Sequence, residues 1–180
     1  MEAEPGATGG WRSPQQVVSV PVAAGPALTE VQRALQEVCE QAGWSYAEAW
    51  SPHPDGTCEL IPAWHRGDPG LVRFRRPTET LSFMPEVGLP GRVLRSKQTM
   101  FVADVTADPS FCRPTAARKA GLEGAIGVPV LAGETVAAVL VFFGRATELS
   151  AWPKVAELAR AAARRLGTPT DAARLRPRQG

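Results

Sequence analysis

AIGVPV at residues 125–130 and TVAAVLVFF at residues 135–143 decide the fold of this chain. A short connection containing Ala132-Gly133-Glu134 separates them, so the two segments are predicted to pair as an antiparallel β-hairpin. The second segment is apolar at nearly every position, which is typical of a central strand that is covered on both faces. We therefore expect a sheet with a layer of structure on each side.

A helix and a second hairpin are predicted on the N-terminal side of that sheet. Between Pro26 and Gly43, apolar residues recur at helical spacing, at Leu28, Val31, Leu35 and Val38. In residues 44–50 large residues alternate with small ones, as in a strand, and a turn at residues 52–56 leads to a second strand at 58–64.

The remaining elements are short, apart from the last helix. We predict helices at 71–76, 88–95 and 114–120, a strand at 99–102, and a final helix that Ser150 caps and Gly167 ends. Hairpins in the middle and long helices at the ends indicate an α+β fold built on an antiparallel sheet. We expect the N- and C-terminal helices packed on one face, with loops and short helices over a pocket on the other.

Domain limits follow from composition. Residues 1–25 are predicted to be a disordered leader, residues 26–167 the folded domain, and residues 168–180 a disordered basic tail. The chain has 20 basic and 18 acidic residues, a net charge of +2, which argues against a dedicated nucleic-acid binder. The arginines of the tail either solubilise the chain or contact RNA, DNA or an acidic partner.

Several classes of protein are excluded or disfavoured. The longest apolar run, Val136–Phe143, is too short to span a membrane, and no secretory signal opens the chain. Three widely spaced cysteines do not indicate a disulfide framework, so we expect reduced thiols and a cytoplasmic location.

Catalytic and metal-binding motifs are missing. There is no glycine-rich phosphate loop, no nucleophile elbow and no spaced cysteine pair for zinc, so we do not expect an enzyme. Cys58 and His65 would point to opposite faces of one strand, which argues against a metal site with His53. Cys112, next to Arg113 and a predicted helix start, is either a reactive thiol of lowered pKa or a packed, unreactive one.

A series of motifs in fixed order resembles a GAF domain. These motifs are GLPGRV (88–93), FVADV (101–105), DPSF (108–111), AGL (120–122) and GVPV (127–130). The segments 43–50 and 62–64 are similar to the GAF domains of bacterial sensor histidine kinases and to the GAF-like region of plant NIN-like regulators. The resemblance covers about residues 27–167 and implies an antiparallel sheet with the terminal helices behind it and a ligand pocket in front.

The strand around Glu48 is the main candidate for the pocket wall. Trp44, Tyr46 and Trp50 are predicted to share its face with Glu48, which either orients a polar ligand or lies at an exposed edge of an aromatic cluster. Asp104 either caps its own loop or contacts the ligand. The predicted ligand-binding residues are Glu48, Trp50, Trp64, Phe83, Asp104, Phe111 and Cys112, of which Trp64 and Phe83 rest on the family topology alone.

The resemblance implies a sensory or regulatory module that binds an unidentified small molecule. No output domain fits in the tails, so we expect a stand-alone module that signals through a separate partner or a homodimer. Three alternatives remain open. The interior could be filled, leaving a protein-interaction module. Cys112 could link a bilin, although Arg113 stands where related photoreceptors usually carry His. A GAF-type free methionine sulfoxide reductase needs several cysteines around its pocket, and Cys39 and Cys58 do not match that arrangement.

Overall fold

The computed structural model describes residues 26–167; the predicted leader and basic tail lie outside them. Within this range the main helices are α1 (Pro26–Ala42), α2 (Val72–Arg75), α3 (Gly88–Ser96), α4 (Pro114–Ala120) and α5 (Trp152–Leu166). The strands are β1 (Tyr46–Pro52), β2 (Cys58–Arg66), β3 (Ser82–Phe83), β4 (Met100–Val102), β5 (Gly124–Ala132) and β6 (Thr135–Gly144).

One antiparallel sheet holds all six of these strands, in the order β3-β2-β1-β6-β5-β4. The first and last long strands therefore lie side by side at its centre, with Tyr46 opposite Phe143 and Trp50 opposite Val139. Both predicted hairpins form, and β6 is buried along almost its whole length. The prediction of a central strand covered on both faces is confirmed.

The first layer consists of α1 and α5, which pack on each other and on one face of the sheet. We call the buried residues between these helices and the sheet the helix-side core. It is almost entirely aliphatic, because Val31, Leu35 and Val38 of α1 face alanines and valines from the strands and α5. The predicted α+β fold, with the terminal helices on one face, is confirmed.

The opposite face of the sheet is covered by α2, α3, α4 and their loops. We call the interior beneath them the cover-side core, and it is rich in aromatic side chains: Tyr46, Trp50, Phe74, Phe83 and Phe143. Alternation along β1 divides its side chains between the two cores, so that Ala47 and Ala49 face the helices while Tyr46 and Trp50 face the cover.

Two glycines let α3 lie close to the segment of the chain that precedes it, around Phe83 and Met84. Gly88 has a φ of 62°, a left-handed conformation that glycine adopts without strain. A Cβ on Gly91 would collide with the carbonyl oxygen of Met84.

Two local predictions are wrong. Ser150 does not cap the last helix, because it lies inside a 310 helix (Ala146–Ala151) and Ala151 is the residue before α5. Trp44 belongs to the helix-side core rather than sharing the Glu48 face, because β1 starts only at Tyr46 and the strand alternation does not extend back to it. Among residues 26–167, none of the helices has the length and apolarity that crossing a membrane requires.

Candidate functional site

Glu48 is fully buried in the middle of β1, with its carboxylate in the cover-side core. Its Oε1 accepts hydrogen bonds from Arg113 Nη2 at 2.7 Å and from Trp50 Nε1 at 3.2 Å. Its Oε2 accepts from the Tyr46 hydroxyl at 3.0 Å and from Arg113 Nη1 at 3.4 Å. β1 is an interior strand of the sheet, so Glu48 does not lie at an exposed edge.

Arg113 reaches Glu48 from the cover. It is the residue before α4, where Pro114 starts the helix, and only 4% of its side chain is exposed. Its Nη1 also donates to Thr78 Oγ1. The guanidinium lies 4.3 Å from the ring centroid of Phe74 and 5.5 Å from that of Phe143, within the range of cation–π contacts.

The ion pair between Glu48 and Arg113 crosses from the sheet to its cover. Two charges leave water to form it, and in such pairs the desolvation penalty offsets much of the Coulomb attraction. Removing one partner of a buried pair typically costs about 3–5 kcal/mol, because the other charge stays buried without compensation. A purely aliphatic core would avoid both penalties, so this pair calls for an explanation beyond packing.

A second buried arginine lies close by. Arg75 of α2 has 5% of its side chain exposed and lies 5.5 Å from the ring centroid of Trp64. Its Nη2 donates a long hydrogen bond, 3.5 Å, to the Ile61 carbonyl. Its nearest carboxylate is that of the exposed Glu79, 3.8 Å from Nε. Arg75 Nε and Nη1 and Arg113 Nε have no hydrogen-bond partner, and each such buried donor typically costs about 1–3 kcal/mol.

Tyr46 lies between the two arginines. Its ring is 6.0 Å from that of Trp64, which Arg75 contacts, and 5.0 Å from that of Phe74, which Arg113 contacts. Burial and the charge of Glu48 raise the pKa of the Tyr46 hydroxyl, and the charges of both arginines oppose that shift. The hydroxyl therefore stays protonated and serves as a hydrogen-bond donor to Glu48.

Four of the predicted ligand-binding residues, all aromatic, surround this cluster. Trp50 donates to Glu48 and its ring lies 4.8 Å from that of Phe83. Trp64 and Phe111 are half-buried against the same core, and Phe111 lies 5.6 Å from the Arg113 guanidinium. The structure thus brings Glu48, Trp50, Phe83 and Phe111 into one region with Trp64 beside it, and their binding of a ligand stays a prediction.

Asp104 and Cys112 lie apart from that cluster. The exposed Asp104 carboxylate caps its own loop by accepting hydrogen bonds from the backbone and hydroxyl of Thr106 and from the amide of Ala107, and these bonds lower its pKa. Cys112 is exposed, yet its thiol is partly desolvated, which raises its pKa although Arg113 opposes the shift. The lowered thiol pKa considered for Cys112 is therefore not found.

The other cysteines are separated by the sheet. Cys39 lies in the helix-side core and Cys58 in the cover-side core, both as free thiols, and burial raises the pKa of Cys58 to about 12. His65 lies near Cys39 on the opposite side from Cys58. Within residues 26–167, no group of three His, Cys, Asp or Glu side chains is arranged to hold a metal ion.

Two surface clefts of the described part of the chain lie away from the Glu48–Arg113 pair. The larger one, about 340 Å³, lies beside the end of α1 and is lined by residues that include Trp44, Ser45, His65 and Glu148. The smaller one, about 210 Å³, lies between α1 and α5. Side chains expected to bind a ligand pack against one another: Trp50 and Phe83 are buried, and their ring centroids are 4.8 Å apart.

Sequence reasoning missed the two arginines and Thr78. Arg113 is singled out there as the neighbour of Cys112 and as a residue that stands where related photoreceptors usually carry His, but nothing local links it to a glutamate 65 positions earlier. One signal was available. Glu48 stands among the large residues of a predicted strand, and a carboxylate on a covered face of a sheet needs a donor or a cation from another part of the chain.

An antiparallel sheet with paired terminal helices behind and short helices in front defines the class of this domain. The sequence profile of the GAF domain family matches residues 27–165, well over half of the chain. The chain belongs to the GAF domain family, whose members are in general sensory or regulatory modules that bind small molecules. A comparison with curated proteins finds no match.

Solved structures agree with this assignment at the level of the fold. The GAF domain of A. aeolicus nlh2 in an inactive state has a TM-score of 0.58 at 12% identity, over 78% of this chain and 91% of that one. A GAF domain region from Geobacter sulfurreducens PCA has a TM-score of 0.55 at 14% identity, over 76% and 90%. The type II free methionine-R-sulfoxide reductase from Thermoplasma acidophilum has a TM-score of 0.52 at 15% identity, over 77% and 92%.

Proposed function

We propose that this chain is a non-catalytic sensory module that binds a small molecule between the sheet and its cover, and that signals through a partner protein or a second copy. The observation that carries the proposal is the buried cluster of Glu48, Arg113 and Arg75. It places charged groups among aromatic rings on the face away from the terminal helices. Ligand sites have this character: an apolar cavity with few, well-placed polar groups.

The cover supplies a route from binding to output. Arg113 stands at the start of α4 and Thr78 follows α2, so the ion pair with Glu48 links two cover elements to the central strand. A ligand that competes for these contacts would loosen or shift the cover relative to the sheet. Ligand binding would thus change the shape of the outer surface of the cover, and a partner would recognise this change.

The cysteines favour a regulatory role over the reductase activity named for the T. acidophilum neighbour. Cys39 and Cys58 lie in different cores on opposite sides of the sheet, so they cannot act together on one substrate. Free thiols at Cys39, Cys58 and Cys112 also fit a reducing compartment, and we place the module in the cytoplasm.

A protein-interaction module with a permanently filled interior is the second candidate. It is favoured by the exposed, stacked rings of Phe101 and Trp152, whose centroids are 5.2 Å apart on the surface. In that case the same fold would act through contacts at its surface alone, without a ligand.

A thermal-shift screen of the full chain against nucleotides, amino acids, small anions and tetrapyrroles separates the two candidates. A ligand present at a hundred times its Kd adds about 2.7 kcal/mol of stability, a shift of several degrees. The hit should be weakened by Trp64→Leu at the cluster and unaffected by Trp152→Leu at the surface. If no compound in the library raises the Tm, the protein-interaction module replaces the sensor.

A further inference from the structure

We propose that the ligand of this site is a small monovalent oxoanion, a carboxylate or an inorganic anion such as nitrate, which Arg75 and Arg113 bind in competition with Glu48. This proposal rests on the proposed function and gives the chemical class of its ligand. It is argued from the balance of charge and of hydrogen-bond donors in the cover-side core.

The first argument is a count of buried charges. Among the described residues, three charged side chains are buried in this region: Glu48, Arg75 and Arg113. An arginine side chain is a cation and a glutamate side chain an anion, so the cluster carries two positive charges against one negative charge. Glu79, whose carboxylate lies 3.8 Å from Arg75 Nε, is 59% exposed, so it compensates this buried charge only in part. One positive charge in the interior has no buried counterion.

The second argument comes from the unsatisfied donors. Arg75 Nε and Nη1 and Arg113 Nε are buried N–H groups without an acceptor, whereas each oxygen of Glu48 already accepts two hydrogen bonds. The cluster therefore lacks acceptors and not donors. An oxoanion supplies both missing quantities, a negative charge and several acceptor oxygens, and its planar form matches the guanidinium fork.

The third argument concerns size. The rings of Tyr46, Phe74 and Trp64 fill the space between the two arginines. A compact anion needs less displacement of these rings than a nucleotide or a tetrapyrrole does. Glu48 holds Arg113 in the absence of the anion, so the anion gains that arginine by displacing a carboxylate of the protein itself.

The test compares sodium formate, sodium nitrate and sodium fluoride at equal concentration, added to the full chain in a chloride-free buffer. Fluoride controls for ionic strength. We expect formate or nitrate, and not fluoride, to raise the Tm by several degrees with saturation, and to change tryptophan fluorescence, because Trp50 and Trp64 border the cluster. A response to formate alone points to an organic acid, and a response to nitrate alone points to an inorganic anion.

Three variants locate the effect. Arg75→Met should weaken anion binding at least tenfold, while Glu48→Gln, which removes the competing carboxylate, should strengthen it at least tenfold. Arg95→Met is the matched control, since Arg95 is 71% exposed on α3 and pairs with Glu86. Circular dichroism establishes that each variant is folded, and the opposite signs expected for Arg75→Met and Glu48→Gln separate binding from a general loss of stability.

Two results would overturn the proposal in different ways. If a neutral or cationic compound from the screen stabilises the chain and Arg75→Met leaves its affinity unchanged, the anion class is wrong while the sensory function stands. If neither the anions nor any compound in the screen shifts the Tm or the fluorescence, both the anion class and the sensory function fail.

Discussion

The two faces of one sheet are equally well buried but chemically different. The helix-side core consists mostly of alanine, valine and leucine side chains from α1, α5 and the strands, with two aromatic rings, Trp44 and Phe142. The cover-side core contains most of the aromatic rings and, in addition, a buried carboxylate and two buried guanidiniums. Aliphatic packing is enough to stabilise a layered domain, so the extra chemistry of the cover side indicates a second role for that face.

The largest effect is expected from a substitution that breaks the buried ion pair between Glu48 and Arg113. Arg113→Met should lower the free energy of unfolding by about 3–5 kcal/mol, because Glu48 is left buried without its cation. Chemical denaturation monitored by circular dichroism measures the change. Arg95→Met, at an exposed site, serves as the control.

The double variant Glu48→Gln/Arg113→Met sharpens the interpretation. Because it removes both charges together, its loss of stability should be well below the sum of the two single losses. If the stability losses of the two single variants add up to that of the double variant, the two side chains do not interact, which would contradict the ion pair.

The next effect tests the helix-side core. Leu35→Ala should lower the free energy of unfolding by about 3 kcal/mol, since a fully buried leucine of α1 is replaced by a cavity. The matched control is Leu131→Ala, where the leucine is 41% exposed and the loss should stay below about 0.5 kcal/mol. Anion binding in Leu35→Ala should equal that of the wild type, and a changed affinity would show that the two cores are coupled.

A smaller effect concerns the loop that precedes α4. The Asp108 carboxylate accepts hydrogen bonds from Ser110 and Arg92; burial acts to raise its pKa, but these donors prevail and the pKa is lowered from 3.8. A carboxyl group whose pKa is lower in the folded than in the unfolded protein stabilises the fold at any pH above its unfolded pKa. This stabilisation is lost as the pH falls from 3.8 through the pKa of the folded state.

We therefore expect Asp108→Asn to cost about 1 kcal/mol at pH 7. The difference from the wild type should shrink as the pH falls below about 4. Thermal unfolding of both proteins between pH 3 and pH 7 measures it, and a difference independent of pH would refute the assigned charge interaction.

The smallest effect on stability is expected from a substitution on the outer surface of the helix layer. Arg165 of α5 pairs with Glu37 of α1 at 3.0 Å, and both side chains are well exposed to water. Arg165→Ala should change the free energy of unfolding by less than about 0.5 kcal/mol, and the change should vanish in 1 M salt. A larger loss would mean that the helix side, too, depends on charge.

Patterns within a single element predicted much of this molecule. The alternation in residues 44–50, the apolar run of β6 and the Pro26 and Gly43 that bound the first helix are local patterns. They were enough for the long strands, the long helices and the fold class, whereas the two-residue strand β3 was not predicted. The error at Trp44 arose at the end of an element, where alternation no longer applies because the strand has not yet started.

The candidate site was less accessible because its contacts join distant parts of the chain. Glu48 could be singled out from its unusual position among aromatic residues. Its partner Arg113 comes from a loop whose local sequence shows only a cysteine and a helix start. Which arginine turns inward depends on how the cover packs on the sheet, and a single sequence contains no direct signal for that.

The strand order also has a consequence for biosynthesis. Because β1 pairs with β6 at the centre of the sheet, the hydrogen bonds that join the two halves cannot form until residue 144 has left the ribosome. Until then the β1–β2 hairpin has an open edge on the side of β1 that later pairs with β6. Contacts between segments so far apart in sequence slow folding, so we expect this domain to fold late in synthesis and to need protection of that edge from aggregation.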